Sequence, residues 1–305
     1  MIYKNTFING FGFILTAALN IVVTAILFRN FETYEFASIV FINIFSPIGI
    51  FSIIDLSIPT TFIRLFTESN KSSNNREIST LAIYFLIASF IISLPIYLLF
   101  THLSYFFLNA LENQSILYNQ IYLTACMLIF LVFPNGMFMS LIEARRSYLF
   151  LQAIKVLNDL IKLITMIFLI YIDAPYYYFC ISLIVFFILP TICYFFYYIS
   201  NIKLVVGYVN LNKSIKILRD SFLIHKGKFW SVVFNNSDRI AATIIGGNQL
   251  LAYAEIFTKF SFFLNRFLGV ASSTLITYTV GLSGKRLKLE KIYKDIFAPY
   301  SFFTT

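Results

Sequence analysis

Long apolar runs dominate this chain, and they leave it few folds. About eight of them approach the length of a membrane crossing: roughly 9–28, 36–60, 79–100, 117–141, 156–172, 176–199, 229–246 and 252–282. A helix needs about 20 apolar residues to cross the hydrocarbon core. The fifth and seventh runs are short, and the eighth is long enough to tilt or to extend past the membrane. The runs predict an all-α integral membrane protein of about eight transmembrane helices. Composition agrees, because only 12% of the 305 residues are charged, about half the share in a soluble domain. The 37 Phe and 20 Tyr suit lipid-facing surfaces and interfacial belts.

The basic residues alternate from connection to connection. Lys4 precedes the first run. The second connection carries Arg64, Lys71 and Arg76, and the fourth carries Arg145, Arg146 and Lys155. The sixth carries Lys203, Lys213, Lys216, Arg219, Lys226 and Lys228, and five more follow the eighth run from Lys285 to Lys294. The first connection has only Arg29, and the third, fifth and seventh have no Lys or Arg. The positive-inside rule therefore puts the N-terminus and every even connection in the cytoplasm. The net charge of +9 is explained by these loops and does not call for nucleic acid. All outward connections are short, so function must reside within the bundle. No cleavable signal peptide is expected.

Three regions follow: a six-helix half over 1–200, a basic linker over 201–228, and an incomplete second half over 229–305. In the linker, Leu211, Ile215, Leu218 and Phe222 recur at helical spacing. They predict an amphipathic helix on the cytoplasmic membrane surface. A six-span unit, a linker and further spans suggest a transporter built of repeats. The closing IFAPYSFFTT resembles the start of another apolar segment, so a truncated second half is expected.

Charges inside apolar runs are costly, by about 2.5–3.5 kcal/mol at the centre of a helix on insertion scales, so they mark pathways or pairs. Asp238 and Arg239 interrupt the seventh run. Glu255, Lys259 and Arg266 form one stripe on the eighth, where Glu255 and Lys259 can pair at i,i+4. Neighbouring side chains point about 100° apart on a helix, so Asp238 and Arg239 should not pair with each other. Arg266 lies deeper, with either an anionic solute or Asp55 or Asp238 as its counter-charge. Asp55 lies in the second run beyond Asn43, Ser46 and Pro47, and Pro47 can kink or break that helix. Arg64 is expected as an interfacial anchor. Lys155, Asp159 and Lys162 share a face of the fifth run and suggest an intrahelical pair or a gate. In the first run Asn9, Thr16, Asn20 and Thr24 fall on one face, as a polar cavity wall or as hydrogen bonds between packed helices.

Catalytic patterns are missing. His102 and His225 read as isolated loop residues. Cys126, Cys180 and Cys193 lie inside apolar runs without metal-ligand spacing. Neither a nucleotide-binding loop nor a zinc-protease or nucleophile-elbow motif occurs. No enzyme, cofactor or metal is expected.

The stretch FRNFETYEFASIVFINIFSPIGIFSIIDLSIPTTFIRLF resembles the first loop and second span of polysaccharide flippases of the Wzx type. The positions that carry the likeness are Arg29, Tyr34-Glu35-Phe36-Ala37, Asp55-Leu56-Ser57 and Arg64, with Ser57 where the family usually has Gly. A second block, NNSDRIAATIIGGNQLLAYAEIFTKF, is similar to the family's seventh span at Asp238-Arg239, Gly247 and Tyr253. The family belongs to the superfamily of multidrug and toxin extrusion pumps. The resemblance implies that fold's first half plus the start of the second. It also implies flipping of undecaprenyl-pyrophosphate-linked oligosaccharide units across a bacterial inner membrane. In that reading Arg239, Lys259 and Arg266 form a cationic route, and Asp55, Asp238 and Glu255 are candidates for coupling to H+ or Na+. The polysaccharide polymerase machinery is the implied partner. The rivals are a cation-coupled drug antiporter, whose cavity should be richer in acids, a lipid-dependent glycosyltransferase, and a truncated, inactive flippase.

Overall fold

The computed structural model describes residues 2–44, 50–53, 55, 57–69, 75–110, 124–201 and 211–281, and on the last helix the side chains only as far as 261. Among the described residues every regular element is helical. They are α1 (Ile2–Asn30), α2 (Thr33–Ile44), a 3-10 turn (Ile50–Ile53), α3 (Ile58–Ser69), α4 (Asn75–Ala110), α5 (Ile129–Ala144), α6 (Tyr148–Tyr171), α7 (Tyr176–Asn201) and α8 (Leu211–Gly281). Among the described residues four segments are long and apolar enough to cross a membrane: Phe7–Asn30, Thr80–Leu99, Thr124–Ala144 and Tyr176–Ser200. They match the first, third, fourth and sixth apolar runs.

The second run is not one helix. α2 begins where Glu35 reaches back to accept the backbone N–H of Glu32 at 3.2 Å, half of a capping box. It ends at Ile44, and Ser46 and Pro47 lie outside the described residues. The chain then passes through the 3-10 turn to Asp55 and Ser57, whose φ is +55°. Asp55 holds this break. Its Oδ1 accepts the Ser57 N–H at 2.8 Å, and its carbonyl accepts the Ile58 N–H at 2.9 Å. An aspartate that bonds the backbone two residues on initiates turns, and Pro59 in the first turn of α3 is preset for a helix.

Two expected loops are also helical. α4 continues to Ala110, so His102 stands on a helix and not in a connection. Glu143 belongs to the last turn of α5, which closes as Arg145 donates to Leu141 and Ser147 to Ile142, both at 3.0 Å. Arg146 takes the left-handed conformation that ends many helices, with φ +58°. Asp173 does the same between α6 and α7, with φ +50°.

The linker helix expected over 211–222 and the run over 229–246 form one continuous arm of α8, which breaks only at Gly247. At about 1.5 Å per residue the arm is about 54 Å long, well beyond a hydrocarbon core of about 30 Å. Ile215, Leu218 and Phe222 are exposed. Ile217, Ser221 and His225, on another face, are buried. Gly247 has φ +57° and ψ −147°, a conformation open essentially only to glycine. It separates the arm 211–246 from the arm 248–281.

Two apolar clusters hold the helices. One joins Val23, Leu27, Phe36, Val40, Ile129, Met166, Phe179 and Leu251. The other joins Phe62, Phe66, Leu81, Met137, Leu141, Tyr198 and Ile217. α5 packs against α3, α4 and α7. It approaches α3 so closely that a Cβ on Gly136 would lie 2.7 Å from Pro59 Cγ. Helices in membranes gain little from water exclusion between them and rely on such close contacts at small residues. The outward sides carry Ile91, Phe196, Phe234, Ile245 and Phe257, all strongly exposed.

Candidate functional site

Buried and half-buried polar and charged residues packed between α1, α6 and α8 form the most concentrated chemistry in the described bundle. α1 packs along α6 and along α8, and its polar face meets α6. Asn9 accepts a hydrogen bond from Gln152 Nε2. Gly12 lets the same glutamine approach, since a Cβ there would stand 2.7 Å from it. Asn20 donates to Asp159 Oδ2 at 2.9 Å and accepts from Lys162 Nζ. Lys162 also contacts Asp159 Oδ1 at 2.8 Å. Thr16 and Thr24 donate to their own helix, to the carbonyls of Phe13 and Asn20. Asn9 and Asn20 thus bond between packed helices, which was one of the two readings open for this face. The intrahelical pair expected on the fifth run is present, with Asn20 as a third member.

α8 adds the other half. Arg239 and Glu255 lie eight residues to either side of Gly247, so the turn brings them to one level, about 12 Å from the break along each arm. Arg239 Nε lies 2.9 Å from Glu255 Oε2, and Lys259 Nζ lies 3.3 Å from Oε1. Glu255 is 1% exposed. Both are charge contacts and not aligned hydrogen bonds. Arg239 also reaches Asn236 Oδ1 at 3.4 Å. Lys259 is near enough to Lys162 for the two ammonium groups to repel. The site therefore gathers three cations, Lys162, Arg239 and Lys259, around two carboxylates, Asp159 and Glu255. A low-dielectric site with surplus positive charge can attract an anion.

Comparison with protein-family models, curated proteins and solved structures finds no match.

Asp238 and Asp55, two of the expected site residues, lie apart from this group. Asp238 points outward and is exposed. Arg266 lies on the second arm of α8, and its side chain is outside the described residues. Asp55 is 8% exposed and pairs with Lys228 Nζ at 2.5 Å. Lys228 belongs to a second buried group between α3 and α8. There Thr61 and Ser221 share a hydroxyl hydrogen bond of 2.7 Å, and His225 is buried with its ring against Phe229. His225 was read as an isolated loop residue, and its place in a helix–helix contact corrects that. The signal was present in the spacing, because positions 217, 221, 225 and 228 trace one helical stripe. The apolar stripe beside it, at 215, 218 and 222, was the more conspicuous. Among the described residues no group of His, Cys, Asp and Glu could hold a metal ion.

Proposed function

We propose that this chain is a flippase for lipid-linked oligosaccharides, moving undecaprenyl-pyrophosphate-linked repeat units to the outer leaflet of a bacterial inner membrane. The product would serve O-antigen or another surface polysaccharide. The observation that carries this reading is the surplus of positive charge, partly shielded from solvent, among the described residues packed between α1, α6 and α8. A sugar-pyrophosphate head group is anionic and must cross an apolar layer, whereas a pump for cationic drugs would place an excess of acid there. The likeness of the segments around Asp55 and Asp238-Arg239 to Wzx-type flippases supports the same class.

In this reading about eight helices cross the membrane with the N-terminus in the cytoplasm. They form the first half of a multidrug-and-toxin-extrusion-like bundle and the start of its second. Lys259, Arg239 and Arg266 offer the head group its cationic route while the lipid tail stays in the bilayer. Glu255, Asp55 and Asp238 are the candidates for coupling to H+ or Na+, and the polysaccharide polymerase machinery is the partner that takes up the product.

The test is export in cells that lack their own flippase for a matching polysaccharide. The chain should restore surface polysaccharide, and Lys259→Ala or Arg266→Ala should reduce export without changing membrane insertion. No restoration, together with robust export of cationic dyes, would favour the drug-antiporter reading.

A further inference from the structure

The contact between α3 and the first arm of α8 carries a polar cluster of its own. Its α8 side is the stripe Ile217, Ser221, His225 and Lys228, and its α3 side is Thr61 with the turn at Asp55. Three features coincide there. The Asp55–Lys228 pair ties α8 to the residue that starts α3. The Thr61–Ser221 hydrogen bond fixes the register two helical turns away. His225 lies between these two ties, 7% exposed, with Nδ1 buried and without a hydrogen-bond partner among the described residues.

We infer that His225 is a proton-binding site that works a latch between α3 and α8, closed when the imidazole is neutral and released when Nδ1 takes a proton. The charges facing His225 are Asp55 from the turn before α3 and Lys228 from its own helix. They already neutralise each other, so a proton on Nδ1 adds an uncompensated positive charge to a buried contact. An imidazolium there has two outlets. It can compete with Lys228 for the single carboxylate, or it can reach water by separating the helices. Lys228 keeps part of its side chain exposed but cannot leave without untying Asp55. Burial, the largest influence, and Lys228 lower the His225 pKa below its ordinary value, against a smaller opposing pull from Asp55. The latch is therefore fully closed above the ordinary histidine range and opens as pH falls through the lowered value. Asp55 also anchors the backbone break at Ser57, so release would free the start of α3 as well as α8.

This inference deepens the transport reading by naming where a proton would act, but its test needs no cargo. Spin labels at Arg64→Cys on α3 and Phe222→Cys on α8, both exposed positions, report the separation in lipid vesicles by pulsed electron resonance. Cys126, Cys180 and Cys193 are replaced by Ala in that background. Between about pH 7.5 and about pH 5 the distance distribution should shift to longer values. His225→Gln should abolish the shift. Lys228→Met should also abolish it, because Asp55 is then free to hold the imidazolium in the closed contact. An unchanged distribution across that range, or a shift that persists in His225→Gln, would overturn the latch. Loss of polysaccharide export with the pH shift intact would instead count against the transport reading alone.

Discussion

Removing the Glu255 carboxylate should be among the most damaging single changes to this bundle. Glu255 contacts Arg239 at 2.9 Å and Lys259 at 3.3 Å. At an effective dielectric of about 20 these attractions are about 6 and about 5 kcal/mol, before the desolvation that opposes them. The net loss is better taken from buried pairs broken on one side, which cost about 3–5 kcal/mol because a charge is left without its partner. Glu255→Gln takes this carboxylate from two cations at once, and Lys162 stands near one of them. The expected loss is therefore about 3–5 kcal/mol. Replacing both members of the tighter pair, Arg239→Met with Glu255→Met, should recover more than half of it. Lys259, which remains, is partly exposed and can extend toward water. The assay is unfolding of the purified protein in mixed micelles, titrated with a denaturing detergent and followed by far-ultraviolet circular dichroism. A loss below about 1 kcal/mol for Glu255→Gln, the size of an exposed pair, would refute the reasoning. So would a double variant less stable than the single one.

Four further outcomes follow from the geometry. Gly247→Ala should cost about 1–3 kcal/mol in the same assay, from backbone strain, since among the described residues nothing lies within 4 Å of an added Cβ. Gly136→Val should cost about 1–3 kcal/mol by driving α5 away from Pro59, seen as weaker oxidative cross-linking between cysteines placed on α3 and α5. Asn20→Leu should destabilise by about 1–3 kcal/mol, as it removes hydrogen bonds from both Asp159 and Lys162 while leaving those charges buried. Stability measured against pH should fall as pH drops through the lowered His225 value, because the unfolded chain binds that proton more readily. His225→Gln should flatten that acid limb in a melting-temperature series.

The helical class and the four most apolar helices could be read directly from run length, because an uninterrupted apolar helix is its own signal. The second run could not. Its residues are apolar throughout, yet Asp55 offers the backbone a turn that competes with the helix, and hydropathy does not register a hydrogen bond to Ser57. The continuity of the linker helix with the next run was hidden for a related reason. Charge density set 211–228 apart from 229–246, but nothing between them breaks a helix before Gly247. At the buried site, the i,i+4 and i,i+3 pairs Glu255–Lys259 and Asp159–Lys162 follow from helical spacing alone. Arg239–Glu255 depends on the fold at Gly247, and Asn20–Asp159 on the docking of α1 against α6. Such long-range pairings leave no local trace. Lys228 was read only as loop charge because its partner lies 173 residues away.

The claim that this chain moves an anionic lipid-linked sugar is tested most directly in reconstituted vesicles. Undecaprenyl-pyrophosphate oligosaccharide is placed in both leaflets, and an external glycosidase removes the exposed head groups. With the protein present, the protected inner pool should become accessible, more slowly in Lys259→Ala. A protected fraction that stays as large as in protein-free vesicles, while a cationic dye crosses readily, would contradict the account.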